Sequence, residues 1–219
     1  MSPSDSELPA RERLLEAAIL CFAEKGFDAT GIREIAGRAR ANSALVQYHF
    51  GGKTGIYAEA LRCIFRGHNE PPMPPLDPHS PDARGMAIRA LGALIEHTLN
   101  ELMACEGGSE LEKASLLLVT RELQNPRAAV ADLILEHMRP TNDRLLDCLR
   151  ILRPDLEGPA AQDHVDSVLG QVVHLLHHLP LIRLVRGDPE YPRDLQALAR
   201  HITGFSLRGF GIPEAFPDA

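Results

Sequence analysis

The chain lacks the sequence signatures of the common hydrolases and oxidases. HExxH, paired ExxH and GxSxG are missing, and no glycine-rich phosphate loop follows a strand. These absences exclude the usual metallohydrolase, di-metal and serine-hydrolase constellations, so a non-enzyme that needs no cofactor is expected. Cysteine is scarce: Cys21, Cys63, Cys105 and Cys148 are nearly evenly spaced, but their surroundings differ and no CxxC pair exists. Neither a disulfide framework nor a zinc site is implied, and the four are read as reduced thiols at mostly buried helical positions. No stretch approaches the ~18 apolar residues of a membrane span. Met1 to Pro9 is polar and acidic, without a basic or apolar leader. A cytoplasmic protein with no membrane partner is expected. An excess of positive charge is lacking as well. The net charge of −7 excludes a protein that coats nucleic acid by bulk attraction.

What is present is helical. Hydrophobic residues make up 44% and charged residues 24% of 219, enough for a sizeable core and two cooperating modules. Through Arg66 nine Lys and Arg stand against eight Asp and Glu, leaving 14 against 22 beyond it. The acidity belongs to the C-terminal part, and a local DNA footprint remains open at the N-terminus.

From Arg11 to Lys25, Leu14, Leu15, Ala18, Ile19 and Phe22 recur at three- and four-residue intervals, one face of an amphipathic helix. Gly26 is its stop. Thr30 is placed to cap a second helix with Ile32, Ile35, Ala36 and Ala39 on its apolar face. Asn42 is the expected N-cap of a third helix reaching Phe50, and Gly51-Gly52 separates it from a fourth beginning at Lys53. Prolines 71, 72, 74, 75, 78 and 81 exclude helix between Glu70 and Pro81 and mark a linker. Beyond it, 82–104, 111–123, 126–152, 162–185 and 192–210 read as helices. Strand-like alternation is absent, so the fold class is all-α.

Two short helices with a tight turn can set the second in the major groove while the first crosses the backbone. Thr30 to Phe50 has that layout. Ala36 and Ala39 permit close approach, Leu45, Val46 and Phe50 form an apolar underside, and Ser43, Ala44, Gln47 and Tyr48 are left outward. Gln47 can bond adenine bidentately, Ser43 can serve base or phosphate, and Ala44 can touch a thymine methyl. Lys53 and the free N–H groups of its turn can clamp a phosphate. Thr30, Arg33, Tyr48 and His49 are further backbone candidates, and Asn42 adds a polar group at the turn. The bland alternative is a helical hairpin that merely packs.

The stretch ATGIREIAGRARANSALVQYHFGGKTGIYAEAL resembles the DNA-binding domain of the TetR family of regulators, through Thr30, Ile35-Ala36, Ala39, Phe50, Lys53 and Tyr57, with Phe22, Lys25 and Gly26 before it. A weaker similarity to the CecR-like subgroup runs through TRELQNPRAAVADLILEHMRPTNDRLLDCLR and GQVVHLLHHLPLIRLVRG. Four positions depart from the family pattern. Arg40 stands for a turn glycine, Gln47 for a phosphate-touching tyrosine, Gly31 for a second threonine and Gly52 for a capping serine. Positive φ at Arg40 costs about 1 kcal/mol or more, which a phosphate contact by the same side chain can offset.

The resemblance implies a homodimer with two helix-turn-helix heads and an effector-binding body. The division is then an arm at 1–9, taken as disordered, a DNA-binding domain at 10–56, a body at 57–213 containing the linker 70–81, and a tail at 214–219. The expected partners are a palindromic double-stranded DNA operator, a second copy of the chain and a small-molecule effector, with repression relieved by ligand as the family's default. A metal-sensing regulator and a helical interaction protein that leaves DNA alone are the alternatives.

By the same resemblance Arg121, His137, Met138, His174 and His177 lie on helices enclosing the effector cavity. That mixture suits a mostly apolar organic molecule with one or two polar or anionic groups. Leu169, Val173, Leu176 and Leu198, on helices too apolar all round for a single neighbour, are expected at the two-fold seam. His174, His177 and His178 share a helix face that can hold a metal, but with no carboxylate or cysteine at matching spacing the plainer reading is a dimer seam or pocket wall. Arg121 and Glu122 sit in an apolar run, where a salt bridge is the ordinary explanation.

Overall fold

A computed structural model describes residues 8–67 and 75–212, except the side chain of Leu176. All the regular structure of the described residues is helical, with no strand among them. The order is α1 (Ala10–Ala29), α2 (Ile32–Arg38), α3 (Ala44–Phe50), α4 (Lys53–Gly67), α5 (Ala83–Gly107), α6 (Glu110–Gln124), a 3-10 turn (Ala128–Val130), α7 (Ala131–Leu152), α8 (Gly158–Arg186) and α9 (Leu195–Gly209). Among the described residues no single helix is long and apolar enough to cross a membrane. The arm through Glu7, prolines 71, 72 and 74 of the linker, and the tail lie outside the described residues. Pro75 to Pro81 is non-helical.

The chain forms two compact units, Met1–Asn69 with Ala104–His137, and Glu70–Met103 with Met138–Ala219. They differ from the division at residue 57 expected above, because α6 packs along α1 and also meets α4.

In the first unit the face of α1 expected to be apolar is buried, with Leu14, Ala18 and Phe22 at 0% exposure. The Phe22 and Phe27 rings meet Tyr57 of α4 edge-on, with centroids 4.8 and 4.9 Å apart. Gly26 breaks helical geometry where the stop was expected, at φ 78° and ψ 170°. Thr30 does not cap α2. Gly31 holds that position, and the Thr30 hydroxyl turns back to donate to the carbonyls of Cys21 (3.1 Å) and Gly26 (2.8 Å) of α1. Ser43 rather than Asn42 is the N-cap residue of α3, while the Asn42 side chain accepts from the Ala44 N–H at 2.8 Å.

The second unit is built on Leu91, Leu94, Ile95 and Leu99 of α5, Leu145, Cys148 and Leu149 of α7, Val165, Val168 and Val172 of α8, and Ile202 and Leu207 of α9, all buried. Burial pushes the Cys148 thiol up to about 11. Gln171 of α8 donates to Ser206 of α9 at 3.1 Å. The axis of α8 bends by 67° between Leu175 and His177. Pro180 explains this, since it lacks an N–H for the carbonyl four residues back and its ring crowds that group.

Candidate nucleic-acid interface

The turn between α2 and α3 closes on backbone bonds. The Ala41 N–H reaches the Ala36 carbonyl at 2.9 Å and the Arg40 N–H reaches Gly37 at 3.1 Å, the paired bonds of a Schellman end. Such an end requires a left-handed residue, and Arg40 supplies it at φ 48°, alone among the described non-glycine residues. The strain expected for an arginine there is real. Arg13 of α1 braces the same turn, its Nε donating to the Ala39 carbonyl at 3.1 Å and its Nη1 to the Leu8 carbonyl at 2.6 Å. Nothing in the sequence pattern distinguishes Arg13 from a solvated arginine, so this brace was not anticipated.

α3 is anchored by Val46, which is fully buried, while Leu45 and Phe50 are half-buried. Gly51 ends it in the left-handed region at φ 71°. A further glycine is required at the approach of α4, because a Cβ at Gly55 would lie 1.7 Å from the Phe50 carbonyl oxygen. On the opposite side Asn42, Ala44, Gln47, Tyr48 and His49 are exposed and Ser43 is half-buried. Tyr48, at 81% exposure, is the most exposed of the large apolar or aromatic side chains.

Electrostatics single out one edge of this unit. Arg11, Arg62 and Arg66 all pair with Glu59, Lys25 pairs with Glu34, and Arg38 pairs with Glu24 and Glu110. These bridges hold the Glu34 carboxyl below its usual range, chiefly through the Lys25 bond. Arg33 in the first turn of α2 and Arg40 in the turn have no such carboxylate among the described residues, and both are exposed. The free cations of the small helices thus lie on α2 and its turn. Lys53, at the first turn of α4, donates to the Asp28 carbonyl at 3.1 Å and stands 4.6 Å from the centroid of the Phe27 ring. Thr54 beside it is exposed on the same turn. Of the residues expected at DNA, Thr30 is not placed for a contact, because it is 2% exposed and its hydroxyl bonds to α1 carbonyls.

Behind this surface lies a buried polar cluster. Glu122 of α6, 1% exposed, accepts from the Tyr57 hydroxyl, from Arg127 Nη1 at 2.7 Å and from the Arg127 N–H at 2.6 Å. Burial, reinforced by Glu122, holds the Tyr57 hydroxyl far above its ordinary pKa. The salt bridge expected for Glu122 is therefore present.

The profile of bacterial regulatory proteins of the tetR family matches residues 14–60. That of the HTH-type transcriptional dual regulator CecR, C-terminal domain, matches residues 87–210, more than half the chain. The chain belongs to the TetR family of DNA-binding transcriptional regulators. Over 64 residues it is 31% identical to the probable HTH-type transcriptional regulator YttP of Bacillus subtilis, covering 29% of this chain and 31% of that one. Over 55 residues it is 34% identical to IcaR of Staphylococcus aureus, the negative transcriptional regulator of the biofilm operon icaADBC, covering 25% and 30%. The chain thus spans about a third of the length of the curated relatives it matches. Among solved structures, a transcriptional regulator from Rhodococcus sp. Rha1 aligns with TM-score 0.59 at 21% identity over 92% of this chain and 97% of that one. SmeT, the repressor of the Stenotrophomonas maltophilia multidrug efflux pump SmeDEF, aligns with TM-score 0.56 at 19% identity over 98% of both. These two likenesses establish the fold.

The residues assigned to an effector are dispersed in this TetR-family chain. Arg121 belongs to the first unit and is exposed there, donating to the Ala23 carbonyl at 2.6 Å. His137 stacks on Phe65 of α4 with centroids 4.0 Å apart. Met138, half-buried, and His174 and His177 lie in the second unit. His174 stacks on His178 at 4.8 Å, and the two help line a cleft of about 420 Å³ with Leu181, Val185 and Tyr191. His177 Nε2 is buried without a hydrogen-bond partner, and its pKa is lowered by burial and then by His178. Among the described residues no group of three His, Cys, Asp or Glu is arranged to hold a metal.

Of the seam residues, Val173 is exposed, Leu169 and Leu198 are half-buried, and the Leu176 side chain lies outside the described residues. The larger unburied side chains are Leu184, Val185, Phe205 and Leu181, at 77, 79, 57 and 54% exposure. The end of α8 is apolar all round, so periodicity alone could not select them.

Proposed function

We propose that the protein is a homodimeric repressor that reads a near-palindromic operator through α3 and releases it when a small organic molecule binds the C-terminal body. The observation that carries the DNA reading is the exposed edge of α2 and α3, where Arg33 and Arg40 have no carboxylate among the described residues and Gln47, Tyr48 and Ala44 are exposed above a fully buried Val46. Exposed cations at the helix ends supply phosphate contacts, and the outward face of α3 supplies base contacts. Dimerisation is supported by Leu181, Leu184, Val185 and Phe205, an apolar set on α8 and α9 that water does not favour. Repression is inferred from the similarity to IcaR, a negative regulator, and to SmeT, a repressor.

Selection of duplexes from a random library tests this reading. Enrichment of a palindrome with half-sites about one helical turn apart, ~34 to 36 Å, is expected. No enrichment contradicts it. The effector reading predicts that drug-like apolar compounds raise the melting temperature, by a shift that keeps growing at concentrations well above the dissociation constant, and release the selected duplex. Release by one equivalent of zinc, nickel or copper, abolished in His174→Ala and His177→Ala alike, favours a metal instead.

A further inference from the structure

Two cations share one aromatic corner in the first unit. Lys53 Nζ lies 4.6 Å from the Phe27 centroid and 3.1 Å from the Asp28 carbonyl oxygen. The Arg127 guanidinium lies 5.1 Å from the same Phe27 centroid, 5.6 Å from that of Tyr57 and 3.5 Å from the Asp28 carboxylate. Arg127 is itself fixed by Glu122, which takes both its N–H and its Nη1. The Phe27–Asp28 corner that receives the Lys53 ammonium is thus held from behind by a residue that follows α6.

We propose that Arg127, clamped by Glu122, is a positioning residue for DNA binding, acting on Lys53 through the Phe27–Asp28 corner. This rests on the DNA-binding reading and adds to it a residue outside the helix-turn-helix. A planar guanidinium can donate to Glu122 while covering two rings and reaching Asp28. A lysine at the same place can satisfy Glu122 but has no fork for the rest. The corner then loosens, and the Lys53 ammonium is delivered less often to the phosphate it would neutralise.

The test is a double-mutant cycle on a selected duplex, measured as affinity against salt with full-length protein. Lys53→Ala is expected to weaken binding about three- to tenfold and to flatten the slope of log K against log salt by about 0.9, the share of one phosphate. Arg127→Lys, which leaves no buried carboxylate unpaired, is expected to do the same in the wild-type background and to change affinity less than about twofold when added to Lys53→Ala. Phe27→Leu, which removes the shared ring without touching the ion pair, is expected to behave like Arg127→Lys. A merely structural role lowers the melting temperature and weakens binding equally in both backgrounds. Losses that multiply in the double variants, or an Arg127→Lys protein that binds like wild type, overturn the proposal while DNA binding stands. A wild-type protein that retards no duplex overturns both.

Discussion

Both compact units pair many of their charges internally, but they differ in what they leave exposed. In the first, acidic and basic groups are mostly committed within the unit: Glu59 to three arginines, Glu34 to Lys25, Glu24 to Arg38 and Glu122 to Arg127. Around the helix-turn-helix, exposed Arg33 and Arg40 have no carboxylate partner among the described residues, and Lys53 meets a backbone carbonyl and a ring rather than a carboxylate. The second unit leaves bulky aliphatic and aromatic groups in water instead, with Leu184 and Val185 more than three-quarters exposed. An unpaired cation is complemented by a polyanion, whereas an exposed leucine cluster is complemented by another protein surface. The incomplete part of each unit therefore indicates the chemistry of its partner.

The contrast breaks first at the end of α8. Leu184→Glu with Val185→Glu is expected to leave the single chain folded, since both side chains are already exposed, and to convert dimer to monomer in analytical ultracentrifugation. Each lost apolar burial accounts for roughly 1.5 to 3 kcal/mol, and a single head loses the avidity of two. A soluble dimer with unchanged DNA affinity would refute the seam.

Next in size is the buried cluster of the first unit. Glu122→Ala leaves Arg127 and the Tyr57 hydroxyl without their acceptor and is expected to cost roughly 3 to 5 kcal/mol in denaturant unfolding. A change below 1 kcal/mol would mean that the ion pairs of this unit are ornamental and would erase the contrast.

Gln47→Ala addresses reading rather than gripping. It is expected to weaken the selected operator by about 1 to 3 kcal/mol and to relax preference at one base pair. Even loss across all sequences would move base readout to another side chain, with exposed Tyr48 the foremost alternative.

The smallest effect is expected at the turn. Arg40→Gly relieves a left-handed arginine at φ 48° and should raise stability by up to about 1 kcal/mol in the same unfolding assay. A loss of stability would mean that the Arg40 side chain makes a contact that outweighs the strain.

The legibility of the fold follows the same division. The apolar periodicity of α1 and the glycines at 26 and 51 fix local backbone, and these were readable because each is a property of a few neighbouring residues. So was Arg40, whose positive φ follows from its place in the turn. Thr30 was misread: an N-cap threonine and a threonine that closes the preceding helix look alike in sequence, and only the path of α1 decides which carbonyls are within reach. Arg13, Arg127 and Gly55 escaped notice because each acts on a residue brought near by packing. Arg121 was assigned to an effector by the family resemblance, and its place in an apolar run suggested a salt bridge; its side chain instead donates to the Ala23 carbonyl of α1, 98 residues away in sequence. Leu169, Val173, Leu176 and Leu198, expected at the seam, lie on α8 and α9, as do the exposed Leu181, Leu184, Val185 and Phe205; a broadly apolar helix carries no periodicity to say which side chains remain outside.

The claim at the centre is that DNA is gripped by the edge whose cations have no carboxylate. Affinity against salt for Arg33→Ala, Arg40→Ala, Arg62→Ala and Arg66→Ala on one selected duplex tests it most directly. The account predicts that the first two each flatten the slope of log K against log salt by about 0.9, while the last two, bridged to Glu59, leave it unchanged. A flatter slope for Arg62→Ala or Arg66→Ala, with Arg33→Ala and Arg40→Ala like wild type, would contradict it.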